Sequence, residues 1–241
     1  MDEKIMRELP LRERAFRRFL HMAFGAVIIY YLFPKTLFGH PAWLYLVVFI
    51  SLPSIIIELL RVKSRRIFFG LRDHERNHLA SYFWFVNGAV ILIILFPQYI
   101  AAPCILATAI GDPVIGETRP FRRRLAFTIG VLICFLMFVI FRYPLLLAII
   151  ASAAAFIAES INIQVSWEFR NELFYSRSKK KVSKYKDWFD FIFRTDDDFM
   201  MQIIPAIVIY FAVLFFQANG FASQIPPDGL ISTLKELLPF V

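Results

Sequence analysis

Three carboxylates sit in stretches of this sequence that are otherwise apolar: Glu58, Asp112 and Glu159. Ionisable side chains are costly in hydrocarbon, so each is a functional candidate. All three fall near an end of their stretch. Glu117 follows Asp112, Glu75 lies in a basic segment between two apolar runs, and Asp196, Asp197 and Asp198 lead into the last run. Arg17, Arg18, Arg72, Arg119 and Arg122 flank other ends, together with His21, Gly111 and Gly116. Acids, arginines and glycines in this mixture suit a nucleoside triphosphate. Mg2+ takes oxygen ligands and is usually held by one or two carboxylates together with substrate phosphates. Arginines neutralise the phosphates and the charge on a group in transfer. Phosphoryl transfer asks little covalent chemistry of the protein, and a lipid hydroxyl could meet the nucleotide at the membrane surface.

Plainer roles compete for the same residues. An acid at the membrane interface can be hydrated or paired with a neighbouring arginine. Thr195 to Asp198 can cap the helix that follows, because side-chain oxygens accept its first unpaired N–H groups. His21 can be a packed histidine, and Gly111-Asp112-Pro113 a turn that ends a helix. Cys104 and Cys134 fall within apolar stretches and read as small packing residues rather than a disulfide or a metal pair. The sequence has no zinc-ligand spacing, no Walker-type glycine loop, no Gly-x-Ser-x-Gly elbow and no evident repeat.

The elements that must position these residues follow from composition. Of 241 residues, 59% are hydrophobic and 19% charged, 28 are Phe, and the mean hydropathy is +0.60. A soluble domain carries about a quarter charged residues. These proportions exclude a disordered chain, a disulfide scaffold and an ordinary cytosolic enzyme. A spanning helix needs roughly 20 mostly apolar residues. Seven stretches qualify: 20–38, 42–60, 79–97, 99–116, 125–141, 143–161 and 200–217. Pro97-Gln98 makes a tight turn between the third and fourth, and Arg142-Tyr143-Pro144 another between the fifth and sixth. The expected fold is an all-α, polytopic integral membrane protein, a single membrane-embedded domain over 1–241 with about seven transmembrane helices.

Charge orients it. The net charge is +8, and 24 of the 27 Lys and Arg residues lie in segments 1–19, 61–78, 117–124 and 162–199. Only Lys35, Arg142 and Lys235 fall elsewhere. Lys and Arg collect in cytoplasmic loops, so the split predicts a cytoplasmic N-terminus and places Glu58, Glu75, Asp112, Glu159 and the Asp run at one membrane face. Segment 1–19 then reads as a basic cytoplasmic segment. Its charges of both signs, with no small-residue cleavage site after a short apolar core, predict that it is not a signal peptide. Segment 162–199 mixes Trp167, Phe169, Trp188 and Phe189 with Lys179, Lys180, Lys181, Lys184 and Lys186. Such a basic amphipathic cytoplasmic loop suits the membrane surface and anionic lipid headgroups, or a lid over a site. Topology explains the basic charge, so no nucleic-acid partner is expected.

Taken together, the motifs resemble the CTP-dependent lipid kinases, the polyprenol kinase family that includes dolichol kinase, phytol kinase and the CTP-using diacylglycerol kinase. Arg17-Arg18-Phe19-Leu20-His21 is similar to the family's Arg-Lys-x-x-His entering the first span. Glu58-Leu59-Leu60-Arg61 resembles its Glu-x-x-Arg, and Arg72-x-x-Glu75 its Arg-x-x-Glu before the third span. Gly111-Asp112 resembles its Gly-Asp core, Glu159 a late glutamate, and Asp197-Asp198-Phe199 through Pro205 its Asp-Asp-Asn-x-x-x-Pro. The likeness runs in order from about residue 17 to 215. The sequence departs from the pattern after Asp112, where Gly116 and Arg119 fall off the family's spacing, and at Phe199, which stands for its Asn.

The resemblance implies a Mg2+-dependent kinase that uses CTP, or another nucleoside triphosphate, to phosphorylate a membrane lipid alcohol such as a polyprenol, dolichol or diacylglycerol. Asp112 would hold the Mg2+–nucleotide, helped by Glu75, Glu159, Asp197 or Asp198. Arg17, Arg18, Arg72, Arg119 and Arg122, with Gly111 and Gly116, would meet phosphates. His21 or Glu75 would orient or deprotonate the hydroxyl, and Glu58 is a further membrane-embedded acid. The site would face the cytosol, from a bacterial or archaeal inner membrane or the endoplasmic reticulum. A phosphatidate cytidylyltransferase-like enzyme and a non-enzymatic lipid-binding or transport relative are the alternatives, and self-association into a homo-oligomer stays open.

Overall fold

The computed structural model describes residues 10–64, 66–71, 79–118, 122–158 and 197–219, and these are mostly helical. Helices occupy all seven expected stretches, with shifted ends. α1, Leu11–Phe24, continues as a 3-10 helix over Gly25–Leu32. A hairpin joins β1, Thr36–Leu37, to β2, His40–Pro41, through Phe38 and Gly39, both at positive φ as a two-residue turn of this kind requires. α2 covers Ala42–Ser64. There follow α3, Ser81–Leu95, α4, Gln98–Thr118, α5, Arg123–Ile140, α6, Leu145–Ala158, and α7, Asp197–Ala218. Among the described residues, three helices are long and apolar enough to cross a membrane: α2, α4 and the Phe199–Ala218 part of α7. α3, α5 and α6 are apolar but shorter.

One sequence expectation changes, and one of the plainer readings falls. The first helix was expected over 20–38 but spans Leu11 to Leu32, so the basic segment ends inside a helix rather than before one. Arginine is a good helix former, and Arg14, Arg17 and Arg18 all find partners on neighbouring helices. Gly111-Asp112-Pro113 does not end a helix: α4 runs through it to Thr118, with Pro103 and Pro113 both inside. Pro103 has no N–H to offer the Tyr99 carbonyl four residues earlier. The Tyr143 hydroxyl donates to that carbonyl instead, at 2.8 Å.

α4 is the centre of the bundle and packs against α1, α3, α5 and α7. Its buried Ala101, Ala102, Ala107, Ala109 and Gly111 let other helices come close, as small residues do between apolar helices. A Cβ on Gly25 would stand 2.8 Å from the Ala109 Cβ, so α1 crosses α4 at that glycine. α2 is the opposite case. Little of it is buried, and Phe49, Leu52, Ile56, Ile57, Leu59 and Leu60 are exposed. It takes a π-helical turn at Val47–Ser51. Pro53 follows, and its ring clashes with the carbonyl four residues back, at Phe49; a widened turn relieves that contact.

Candidate functional site

Arg14, Arg18, His21 and Gly25 follow one another at intervals of four, three and four residues, which places them on one face of α1. That face lies along α4. Starting at Gly25 on Ala109, the next turn back brings His21 beside Asp112, with Nε2 at 3.9 Å from Oδ2. One turn further, Arg18 Nη1 donates to Asp112 Oδ2 at 3.2 Å and Nε to Glu117 Oε1 at 3.3 Å. At the end, Arg14 Nη1 stands 4.0 Å from Glu117 Oε2. The two antiparallel helices thus form a ladder that passes from small apolar rungs to ionic ones.

Gly116 makes the ionic part fit. A Cβ there would overlap the Arg18 guanidinium, so the absent side chain is the space in which Arg18 lies across α4. Exposure rises along the ladder, from 4% at His21 through 14% at Arg18 and 16% at Asp112 to 43% at Glu117. A solute would therefore enter from the Glu117 end, and His21 forms the floor. The His21 ring also meets the buried Phe85 edge-on, with centroids 4.5 Å apart, which fixes its plane.

A second cluster meets the first at the start of α3. Glu58 and Arg61 are both fully buried, and Arg61 grips the carboxylate with Nε at 2.8 Å and Nη2 at 2.6 Å. Glu58 also accepts the Ala80 backbone N–H at 2.6 Å and the Tyr82 hydroxyl. A carboxylate on the first N–H groups of a helix is favoured by their dipoles. The next residue, Ser81, accepts a hydrogen bond from Arg17 Nη2 at 2.6 Å. Ala80 and Ser81 thus tie Arg17 of α1 and the Glu58–Arg61 pair of α2 to the start of α3.

Of the residues singled out from sequence, Arg18, His21, Asp112 and Gly116 come together, and Arg17 joins them through α3. Gly111 does not: it is buried toward α7, where its nearest neighbour in the space of a Cβ is Met201. Arg122 is exposed ahead of α5, and its N–H returns to the Thr118 carbonyl at 3.0 Å, within a turn of the ladder's open end. Glu58 belongs to its own cluster with Arg61. Asp197 and Asp198 begin α7, one turn before Met201. Glu75, Arg72, Arg119, Glu159 and Asp196 lie outside the described residues, as does nearly all of segment 162–199. Among the described residues no group of three or more His, Cys, Asp and Glu side chains converges as a metal site.

Sequence reasoning passed over two polar positions. Asn87 of α3 joins α2 at its π-helical turn: it accepts from Ser51, and its Nδ2 donates to Ser54 Oγ at 3.0 Å and to the Phe83 carbonyl at 2.8 Å. Gln202 of α7 is fully buried opposite Gly88, with Nε2 donating to the Phe85 carbonyl at 3.3 Å. An amide inside an apolar run was the signal for both. No protein-family model, no curated protein and no solved structure matches the chain.

Proposed function

We propose that the protein is a membrane lipid kinase that transfers a phosphoryl group from CTP, or another nucleoside triphosphate, to a lipid alcohol. One observation carries this reading. Arg18 and Asp112 belong to separate motifs of the lipid-kinase pattern and stand 94 residues apart in the chain, yet they pair at 3.2 Å with His21 beside them. The proposed topology is seven spans with the N-terminus and this site toward the cytosol. Its support is the gathering of 24 of 27 basic residues into four segments and the helices found at all seven apolar stretches.

Asp112 offers a carboxylate oxygen of the kind Mg2+ takes, and Mg2+ commonly needs only one or two from a protein when phosphates supply others. When bound, Mg2+ would offset charge on the phosphate oxygens. Arg18 exchanges its carboxylate partners for the incoming phosphates, which releases Asp112 toward the nucleotide. Arg14 and Arg17 add positive charge at the same end. The lipid hydroxyl oxygen bonds to the γ-phosphorus as the bond to the bridging oxygen breaks, and the nucleoside diphosphate leaves. The hydroxyl proton passes to His21 or Glu75. The His21 ring, 3.9 Å from Asp112 at the floor of the site, is the described group placed to take that proton.

The test is an incubation of the purified protein with Mg2+, a panel of lipid alcohols and CTP or ATP, with both products analysed. A phosphorylated alcohol with release of the nucleoside diphosphate supports the reading. Pyrophosphate release with a CDP-lipid would identify a cytidylyltransferase, and no transfer from any nucleotide would leave the non-enzymatic relative.

A further inference from the structure

An apolar cleft of about 300 Å3 lies between α1 and α2, with α3 as its floor. Ala23, Phe24 and Val27 form one wall, Ile50 of the π-helical turn the other, and Val86 and Ala89 the base. The volume lies at the lower end of the range of about 300–1,000 Å3 typical of small-molecule sites and suits one slender chain. The apolar walls suit hydrocarbon; apolar cavities lacking polar partners stay dry.

Three observations identify hydrocarbon as the occupant. The wall formed by α2 belongs to a helix with little buried surface, and Phe49 beside Ile50 is 70% exposed, so the cleft adjoins a face suited to lipid chains. One end of the cleft meets the polar ladder: Phe24 lies one turn beyond His21 and two beyond Arg17 on the same helix, and both His21 and Phe24 pack on Phe85. The π-helical turn that presents Ile50 is also held to α3 by Ser51 and Ser54 on Asn87, which fixes the cleft's width. An amphiphile with its polar head at His21 and Arg17 would therefore have its chain in the cleft.

We propose that this cleft is the chain site of the lipid acceptor and takes one linear hydrocarbon chain, with the hydroxyl at the His21 end. The identity of the head as an alcohol rests on the kinase reading; the chain site is tested separately by binding. A long-chain fatty alcohol with a diazirine in its tail is irradiated with the full-length protein in nanodiscs, and the adducts are mapped by mass spectrometry. A phosphatidylcholine with the same tail label serves as the comparison.

The expected result is saturable labelling of 23–27, Ile50 and 86–89 by the alcohol, competed by unlabelled long-chain alcohol. Ala89→Phe fills the cleft from its base and Val27→Trp from its wall. Either variant, if it runs as a single species on size exclusion, should lower that labelling about tenfold and flatten the dependence of KM on chain length. Labelling spread evenly over the exposed faces, equal labelling by phosphatidylcholine, or labelling unchanged in both folded variants would overturn the proposal. Saturable labelling without phosphoryl transfer would leave the chain site standing and remove the kinase reading. Transfer with unselective labelling would do the reverse.

Discussion

Arg18 reaches Asp112 at 3.2 Å by lying over Gly116, and the same guanidinium holds Glu117 at 3.3 Å. One cation thus bridges two carboxylates across the contact between α1 and α4. The geometry has two consequences. The pair is a packing feature that depends on a glycine and, on the proposed function, an ionic lock that phosphate would open.

Substitution at the lock should separate nucleotide binding from folding. Lys in place of Arg18 keeps the charge but presents a single compact ammonium where a planar fork now spans two carboxylates. Arg18→Lys should raise the KM for nucleotide about 10–100-fold, the scale of one charge-assisted hydrogen bond of about 1.5–3 kcal/mol. Steady-state kinetics at several nucleotide concentrations would read this, and an unchanged KM would separate Arg18 from the phosphates.

Gly116→Ala should destabilise the protein by about 1–3 kcal/mol, the usual cost of overpacking a close contact. The loss should nearly vanish in an Arg18→Ala background, because the added methyl then occupies the space that the guanidinium leaves. Thermal unfolding of the four proteins in detergent gives the coupling directly. Equal losses in both backgrounds would mean that something other than Arg18 is crowded.

The Glu58–Arg61 pair should matter for stability and not for chemistry. Both side chains are fully buried, and the carboxylate also holds Ala80 and Tyr82. Removing one partner of such a pair costs about 3–5 kcal/mol, because a charge is left buried alone. Glu58→Ala should therefore lower the unfolding temperature sharply. Tyr82→Phe, which removes one of four bonds, should cost about 1 kcal/mol and leave turnover per folded molecule unchanged.

The proposed orientation predicts opposite accessibility for Lys35 and Arg66. Both are exposed, one beside the β1–β2 hairpin and one just past α2. Lys35→Cys should react with a membrane-impermeant thiol reagent added outside intact cells, and Arg66→Cys only after permeabilisation. The native Cys104 and Cys134 are buried and give little background. Labelling of both from one side would remove α2 from the set of spanning helices.

Much of this was legible in the sequence, for physical reasons that differ by residue. Helix positions followed from apolar runs, and both tight turns fell where Pro97 and Pro144 place them. The first helix was misjudged because its arginines read as a loop; only their partners on α3 and α4 reveal why charge stays helical there. Asp112 was visible as an acid in an apolar run. Its pairing was not, because helix spacing gives the face of α1 but not the helix it meets. Gly116 was read as a phosphate-facing glycine; that it makes room for Arg18 was not legible, because the spacing does not show which side chain crosses it. Gly111 faces α7, a direction no local pattern encodes. Asn87 and Gln202 carried the same kind of signal as Asp112, a polar group in an apolar run, and were overlooked for lack of charge.

The central claim is that the Arg18–Asp112 pair sits at a phosphoryl-transfer site for a lipid alcohol. The most direct measurement follows labelled γ-phosphate from CTP and ATP into a panel of long-chain alcohols, polyprenols and diacylglycerols, with the native protein and Asp112→Asn compared at equal folded amounts. Label should enter one lipid class with release of nucleoside diphosphate, and Asp112→Asn should reduce the rate by about 10²–10³, the usual effect of deleting one group that stabilises transition-state charge. Transfer that survives Asp112→Asn undiminished, or no transfer to any lipid from either nucleotide, would contradict it.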